Sequence, residues 1–138
     1  MERTERSLPE AVAALCTAFP DVEAKVSHGM PTWHVDGRHF ATFSLNHHGD
    51  GRVALLLKLP RDQTADLIAS DPDTFFVPAY TGGKGWVGIA LNREVDWNEV
   101  VTCARDAWRH AAPSREMPPL PDIAKPRRMK PEEIDPFL

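Results

Sequence analysis

Apolar positions along the chain change their period several times, and each change predicts an element. Leu8, Val12, Leu15 and Phe19 fall at i, i+4, i+7 and i+11, one stripe of a helix that stops near Pro20. Ahead of it, Ser7-Leu8-Pro9-Glu10 reads as a capping box, with Pro9 in a first turn where its missing N–H costs nothing. Beyond Asp21, Val22, Ala24 and Val26 alternate with Glu23, Lys25 and Ser27, the pattern of a half-buried strand. Residues 32–35 and 38–44 flank Asp36-Gly37, a two-residue hairpin signal because a type I′ turn wants positive φ at both positions. The loop "NHHGDG" and the return strand "RVALLLKL" make the next hairpin.

A helix follows over 61–70, opened by Pro60 and ended by Asp71-Pro72-Asp73. "TFFVPAY" reads as a short strand or extended piece, and "TGGKG" as a turn into the strand "WVGIAL". Asp96-Trp97-Asn98-Glu99 is a second capping box, and its helix carries Trp97, Val101, Ala104 and Trp108 on one stripe until Pro113. The predicted order is α–β–β–β–β–α–(β)–β–α. That order implies an antiparallel β-sheet with helices packed on one face, class α+β. The chain divides into a domain over 1–112 and a proline-rich tail over 113–138. Prolines 113, 118, 119, 121, 126, 131 and 136 argue against a regular helix or central strand there. The tail is expected to be extended or polyproline-like.

Charge narrows the partners. The formal net charge is −4, whereas a domain that grips nucleic acid usually carries a basic excess. A nucleic-acid role would therefore need a local basic patch. No apolar run approaches the length of a membrane span, and the charged N-terminus does not read as a secretory signal, so no membrane partner is expected. Cys16 and Cys103 both fall in predicted helices, where thiols usually act as small core residues. A cytoplasmic location with reduced thiols is the expectation.

Candidate chemistry concentrates in "HGMPTWHVDGRHFATF", residues 28–43. Counting outward from the Asp36-Gly37 turn pairs Val35 with Arg38, His34 with His39, and Trp33 with Phe40. Trp33, Val35 and Phe40 then share the core face. Thr32, His34, His39, Ala41 and Phe43 share the opposite face, where an exposed Phe43 among polar neighbours suits a docking surface. His34 and His39 are close enough to be weak candidates for one metal ion, with His28, His47 and His48 the nearest further donors, although zinc wants three or four ligands. In "YTGGKGW" the lysine precedes Gly-Trp and a strand, so the loop is not a P-loop. Lys84 and Trp86 there offer a cation beside an aromatic. No nucleophile motif or acid pair stands out, and no cofactor signature is present. A binding protein is expected rather than an enzyme.

As a linear set, "HGMPTWHVDGRHFATF", "ALLLKL", "TFFVPAYTGGKGWVGIAL" and "VDWNEV" resemble the MmcQ/YjbR family of small bacterial proteins, over about residues 8–111. Gly29, Pro31, Thr32, Val35, Gly37, Phe40, Ala41, Lys58, Tyr80, Gly82, Gly85, Trp86 and Val87 match the family pattern. His28 stands where tryptophan is usual, Trp33 where phenylalanine is, Arg38 where lysine is, and Ala107-Trp108 where a serine-tyrosine pair is frequent. The tail has no family counterpart. The resemblance implies a frataxin-like or secretion-chaperone-like α+β sheet and DNA binding, the role commonly given to members. Arg38, Lys58, Lys84, Trp86, Arg127 and Arg128, with Lys130, would then form the DNA or ligand contacts. The alternative partner is a protein or a second copy of the chain, docked on the face of Thr32, His34, His39 and Phe43.

Overall fold

The structure, a computed structural model, describes residues 6–79 and 85–137. One antiparallel sheet of six strands runs in the order β1-β2-β3-β4-β6-β5. The strands are β1 (Glu23–Ser27), β2 (Met30–Val35), β3 (Arg38–Leu45), β4 (Val53–Lys58), β5 (Phe75–Phe76) and β6 (Trp86–Ala90). Helices α1 (Leu8–Thr17), α2 (Arg61–Ser70) and α3 (Trp97–Ala111) complete the domain, and α4 (Pro131–Ile134) is one turn in the tail. The fold is α+β, and the order of elements follows the hydrophobic pattern.

The N-cap half of each predicted capping box is where the sequence places it. Ser7 Oγ accepts from the Glu10 N–H at 3.4 Å, and Asp96 Oδ1 accepts from the N–H groups of Asn98 and Glu99. Each satisfies donors that the first turn of a helix leaves without partners. The stripes of α1 and α3 meet the sheet in one apolar cluster with Trp33, Val35, Phe40, Leu55, Leu57, Phe75, Val87 and Ile89. Trp108 is fully buried there, and its indole N–H donates to the Pro20 carbonyl at 3.0 Å. A buried indole needs such a partner.

Two expectations about strands are corrected. β1 is exposed at all five residues, with Val26 77% exposed. It is an edge strand, exposed on both faces, so its alternation does not mark a buried face. Asp36 (φ 52) and Gly37 (φ 76) do form the tight turn, and Val35–Arg38 and His34–His39 pair as counted. The register then shifts: Trp33 pairs with Ala41, not Phe40, and Thr32 with Thr42. Phe40 is the extra residue of a β-bulge, which puts two residues opposite one and inverts the alternation beyond it. Phe43 is consequently 3% exposed, and both it and Ala41 lie in the helix-side core.

The tail is bound along the domain. Arg115 pairs with Asp21 and Asp36, Arg105 donates to the Pro118 carbonyl, and the Trp97 indole donates to the Ile123 carbonyl at 2.8 Å. Asn92 imitates a strand partner for Met129, donating to its carbonyl at 3.2 Å and accepting from its N–H at 2.8 Å. Met129 is buried in the core. One helical turn does form in the tail, at α4, because its Pro131 occupies the first helical position, where no N–H is needed.

Candidate functional site

The helices cover one face of the sheet and leave the other open. On that face the alternation beyond the bulge presents Thr42 and Ser44 from β3, beside Thr32 from β2 and Ala54 and Leu56 from β4. Trp86 and Gly88 continue the row on β6, and Phe76 on β5 leans across Gly88. These short side chains floor a cleft of about 1230 Å³, whose rim includes Ser27, His28 and Met30 on one side and Val77, Pro78 and Ala79 on the other. Small-ligand sites commonly have volumes of ~300–1,000 Å³. The cleft is large enough for one.

Two ring assemblies line the floor. At one end His34 and His39 stack across the hairpin, centroids 4.8 Å apart and planes 23° apart, and His39 meets Trp86 at 4.6 Å. Near the other end the Arg52 guanidinium lies 4.4 Å from the centre of the Phe76 ring, a cation–π contact. Hydrogen bonds assign the histidine tautomers. The Thr32 hydroxyl donates to the Lys25 carbonyl at 3.1 Å, so His34 Nε2–H donates to Thr32 Oγ1, also at 3.1 Å. His39 Nε2–H donates to the Ala41 carbonyl at 3.0 Å, with Thr42 Oγ1 at 2.6 Å. Each ring therefore keeps an unprotonated Nδ1.

Burial holds the His39 imidazole below its ordinary pKa of 6.5, and the neighbouring His34 and Lys58 add to this against the bond to Ala41. Burial, then Lys25, lowers His34 against the pull of Glu23. Both rings are neutral near pH 7. Among the described residues, no group of three His, Cys, Asp or Glu side chains lies close enough to hold one metal ion. The two histidines stack rather than converge.

Of the basic residues expected to act together, Arg38 and Lys58 both lie close enough to His110 to lower its pKa, whereas Arg127 and Arg128 are engaged elsewhere. Arg38 points to the helix side, where it donates to the Ala111 carbonyl at the C-terminus of α3. Such a position favours a cation. Lys58 pairs with Trp86 in register and faces the cleft side, without an ion pair among the described residues. Arg127 forms a two-pronged pair with Glu133, and Arg128 pairs with Glu94, which also binds Lys125. The Lys130 N–H donates to Glu133. Lys84, Tyr80 and Gly82 lie outside the described residues. Trp86 sits in the cleft, only 6% exposed. Of the proposed docking face, Thr32 and His39 line the cleft, His34 stacks behind His39, and Phe43 is on the far side of the sheet.

Sequence reasoning missed Thr42, Ser44, Ala54, Leu56, Arg52 and Phe76 as cleft residues. Thr42 and Ser44 alternate with Phe43, so the bulge alone would have revealed them.

A sequence model of the YjbR family matches residues 17–110. The matched span holds the whole sheet and most of the helix layer. The chain belongs to the YjbR family. As a YjbR protein it carries its tail beyond the matched span. The solved structure of the Deinococcus radiodurans protein DR2400, with family-model domain DUF419, superposes with a TM-score of 0.59 at 14% identity, covering 78% of this chain and 80% of that one. The likeness establishes a shared fold. A search of curated proteins gave no match.

Proposed function

We propose that this YjbR protein is a binding module whose working surface is the cleft on the open face of the sheet, taking a flat, largely uncharged small molecule. The observation that carries the reading is the lining itself. Among the described residues its formally charged side chains are one acid, Asp50, and one base, Arg52. Around them stand imidazoles, hydroxyls and the rings of Trp86 and Phe76. Rings give a planar ligand surfaces to stack on, while Thr42, Ser44 and His39 Nδ1 offer orienting hydrogen bonds. A phosphate backbone would instead need several converging cations. Two buried free thiols favour a cytoplasmic setting.

DNA binding is the second reading, supported by Lys58, which faces the same side as its partner Trp86 and forms no ion pair among the described residues. One experiment separates the two. Prodan (6-propionyl-2-dimethylaminonaphthalene), a flat and neutral aromatic probe, is titrated against the folded protein and an Ala54→Trp variant, in parallel with labelled duplex DNA over a range of salt. Saturable dye binding that weakens roughly tenfold or more when the indole fills the floor supports the cleft. Equal dye binding by a cooperatively folded Ala54→Trp protein overturns it. DNA binding that falls steeply with salt and is lost in Lys58→Ala transfers the function to the second reading.

A further inference from the structure

The outer edge of β1 carries a self-complementary sequence. In the two-residue hairpin between β1 and β2, Ser27 pairs with Met30, Lys25 with Thr32 and Glu23 with His34. The pair closing a two-residue hairpin exchanges hydrogen bonds, and bonded pairs then alternate along the ladder. Lys25 obeys this: its carbonyl points toward β2, where it accepts from the Thr32 hydroxyl. The N–H and C=O groups of Ala24 and Val26 therefore point away from the sheet, and Val22 lies just before the strand. β1 ends the strand order, and its residues are exposed throughout.

We infer that β1 pairs with β1 of a second copy, antiparallel and centred on Ala24, to join two sheets into one. Only even-numbered residues offer outward groups, so bonded pairs must match them with one another. Centring on Ala24 does so, setting Ala24 against Ala24 and Val22 against Val26. It also sets Glu23 opposite Lys25 twice. Shifting the centre to Lys25 opposes two lysines, and shifting it to Glu23 opposes two glutamates, both unfavourable. Glu23 and Lys25 already share one face, 3.8 Å apart in the single chain. The Val22–Val26 pairs cover the exposed Val26. Backbone parity permits this register and charge selects it, and a homodimer follows with a continuous sheet of twelve strands, two copies of the six observed.

Sedimentation velocity on the full chain tests the pairing. The wild type is expected to be a concentration-dependent dimer. Glu23→Lys and Lys25→Glu should each weaken dimerisation roughly tenfold or more, since two opposed pairs turn repulsive. The double exchange should restore it, and mixing the two single variants should give a heterodimer. Ala24→Pro should leave the β1–β2 ladder intact and abolish the dimer, because the N–H it removes points outward. A wild type that stays monomeric at about 100 μM overturns the proposal. So does a dimer indifferent to all three substitutions.

Discussion

Arg115, the third residue of the tail, grips Asp36 at the tip of the β2–β3 hairpin with two nearly parallel bonds, Nη2 to Oδ1 at 2.8 Å and Nε to Oδ2 at 3.0 Å. The same guanidinium reaches Asp21 through Nη1. Both aspartates have positive φ, 56° and 52°, so one side chain ties down two tight turns from far along the sequence. Arg115 holds the Asp36 carboxyl below its ordinary pKa of 3.8, by hydrogen bonding first and by charge.

The clamp predicts an acid effect. Asp36 binds its proton less readily folded than unfolded, so its stabilisation is complete above pH 3.8 and is lost as pH falls through the lower folded value. Arg115→Ala should lower the melting temperature slightly at pH 7, and the difference from wild type should vanish toward pH 2. Arg115→Lys should recover only part of the loss, since it cannot make the two-pronged bond. Thermal denaturation from pH 2 to 7 measures this. Equal melting temperatures at pH 7 would remove the clamp.

The stacked histidines predict a second, separate pH dependence. His34, His39 and His110 are all lowered from 6.5, chiefly by burial. The unfolded chain therefore takes up protons first as pH drops below 6.5, and stability declines until the folded values are passed. Urea midpoints should fall from pH 7 toward pH 5. His39→Phe keeps a ring on His34 and Trp86 without a titrating group, and it should flatten part of that slope. A slope unchanged in His39→Phe would place the effect elsewhere.

Gly88 has no side chain because Phe76 occupies that space: a Cβ would stand 2.3 Å from the tip of the ring. Gly88→Ala should displace Phe76 and its Arg52 partner, costing ~1–3 kcal/mol as an overpacked site. In a Phe76→Ala background the same change should be nearly neutral, a coupling that a double-mutant cycle reads directly. Gly85 is confined for another reason. Its φ is +85° and a Cβ would meet the Leu59 carbonyl at 2.8 Å, so Gly85→Ala has no second-site remedy.

Both thiols should be silent in the native state. Cys16 is fully buried and its thiol pKa is driven well above the ordinary range by that burial. The Cys103 thiol is pushed up to about 12 by burial, then by Glu99 and Asp106. A disulfide-exchange reagent should titrate no thiol in buffer and two in denaturant. Rapid labelling of folded protein would contradict the buried placement.

Local chemistry was legible in the sequence wherever one or two neighbouring residues suffice to decide a conformation. Ser7 and Asp96 announced their helices, the stripes through Leu15 and Trp108 announced which sides face inward, and Asp36-Gly37 announced its turn. The His34–His39 pairing followed from that turn by counting. Counting failed one residue later, because a bulge is selected by how β3 fits between β2 and β4 and leaves no mark in the alternation.

From that one extra residue the site followed. It sent Phe43 into the core, turned Thr42 and Ser44 outward, and made the open face a shallow cleft rather than an aromatic patch. The cations were equally beyond reach of the sequence: Arg38, Arg127 and Arg128 looked like a shared patch, yet each went to a separate partner, a carbonyl or a carboxylate brought in by folding. The sequence by itself determined the elements and their inward faces, since backbone torsions and hydrophobic period act over a few residues. Only the tertiary structure decided the register past Phe40, the docking of the tail and the make-up of the cleft, because those depend on side chains that meet across the fold.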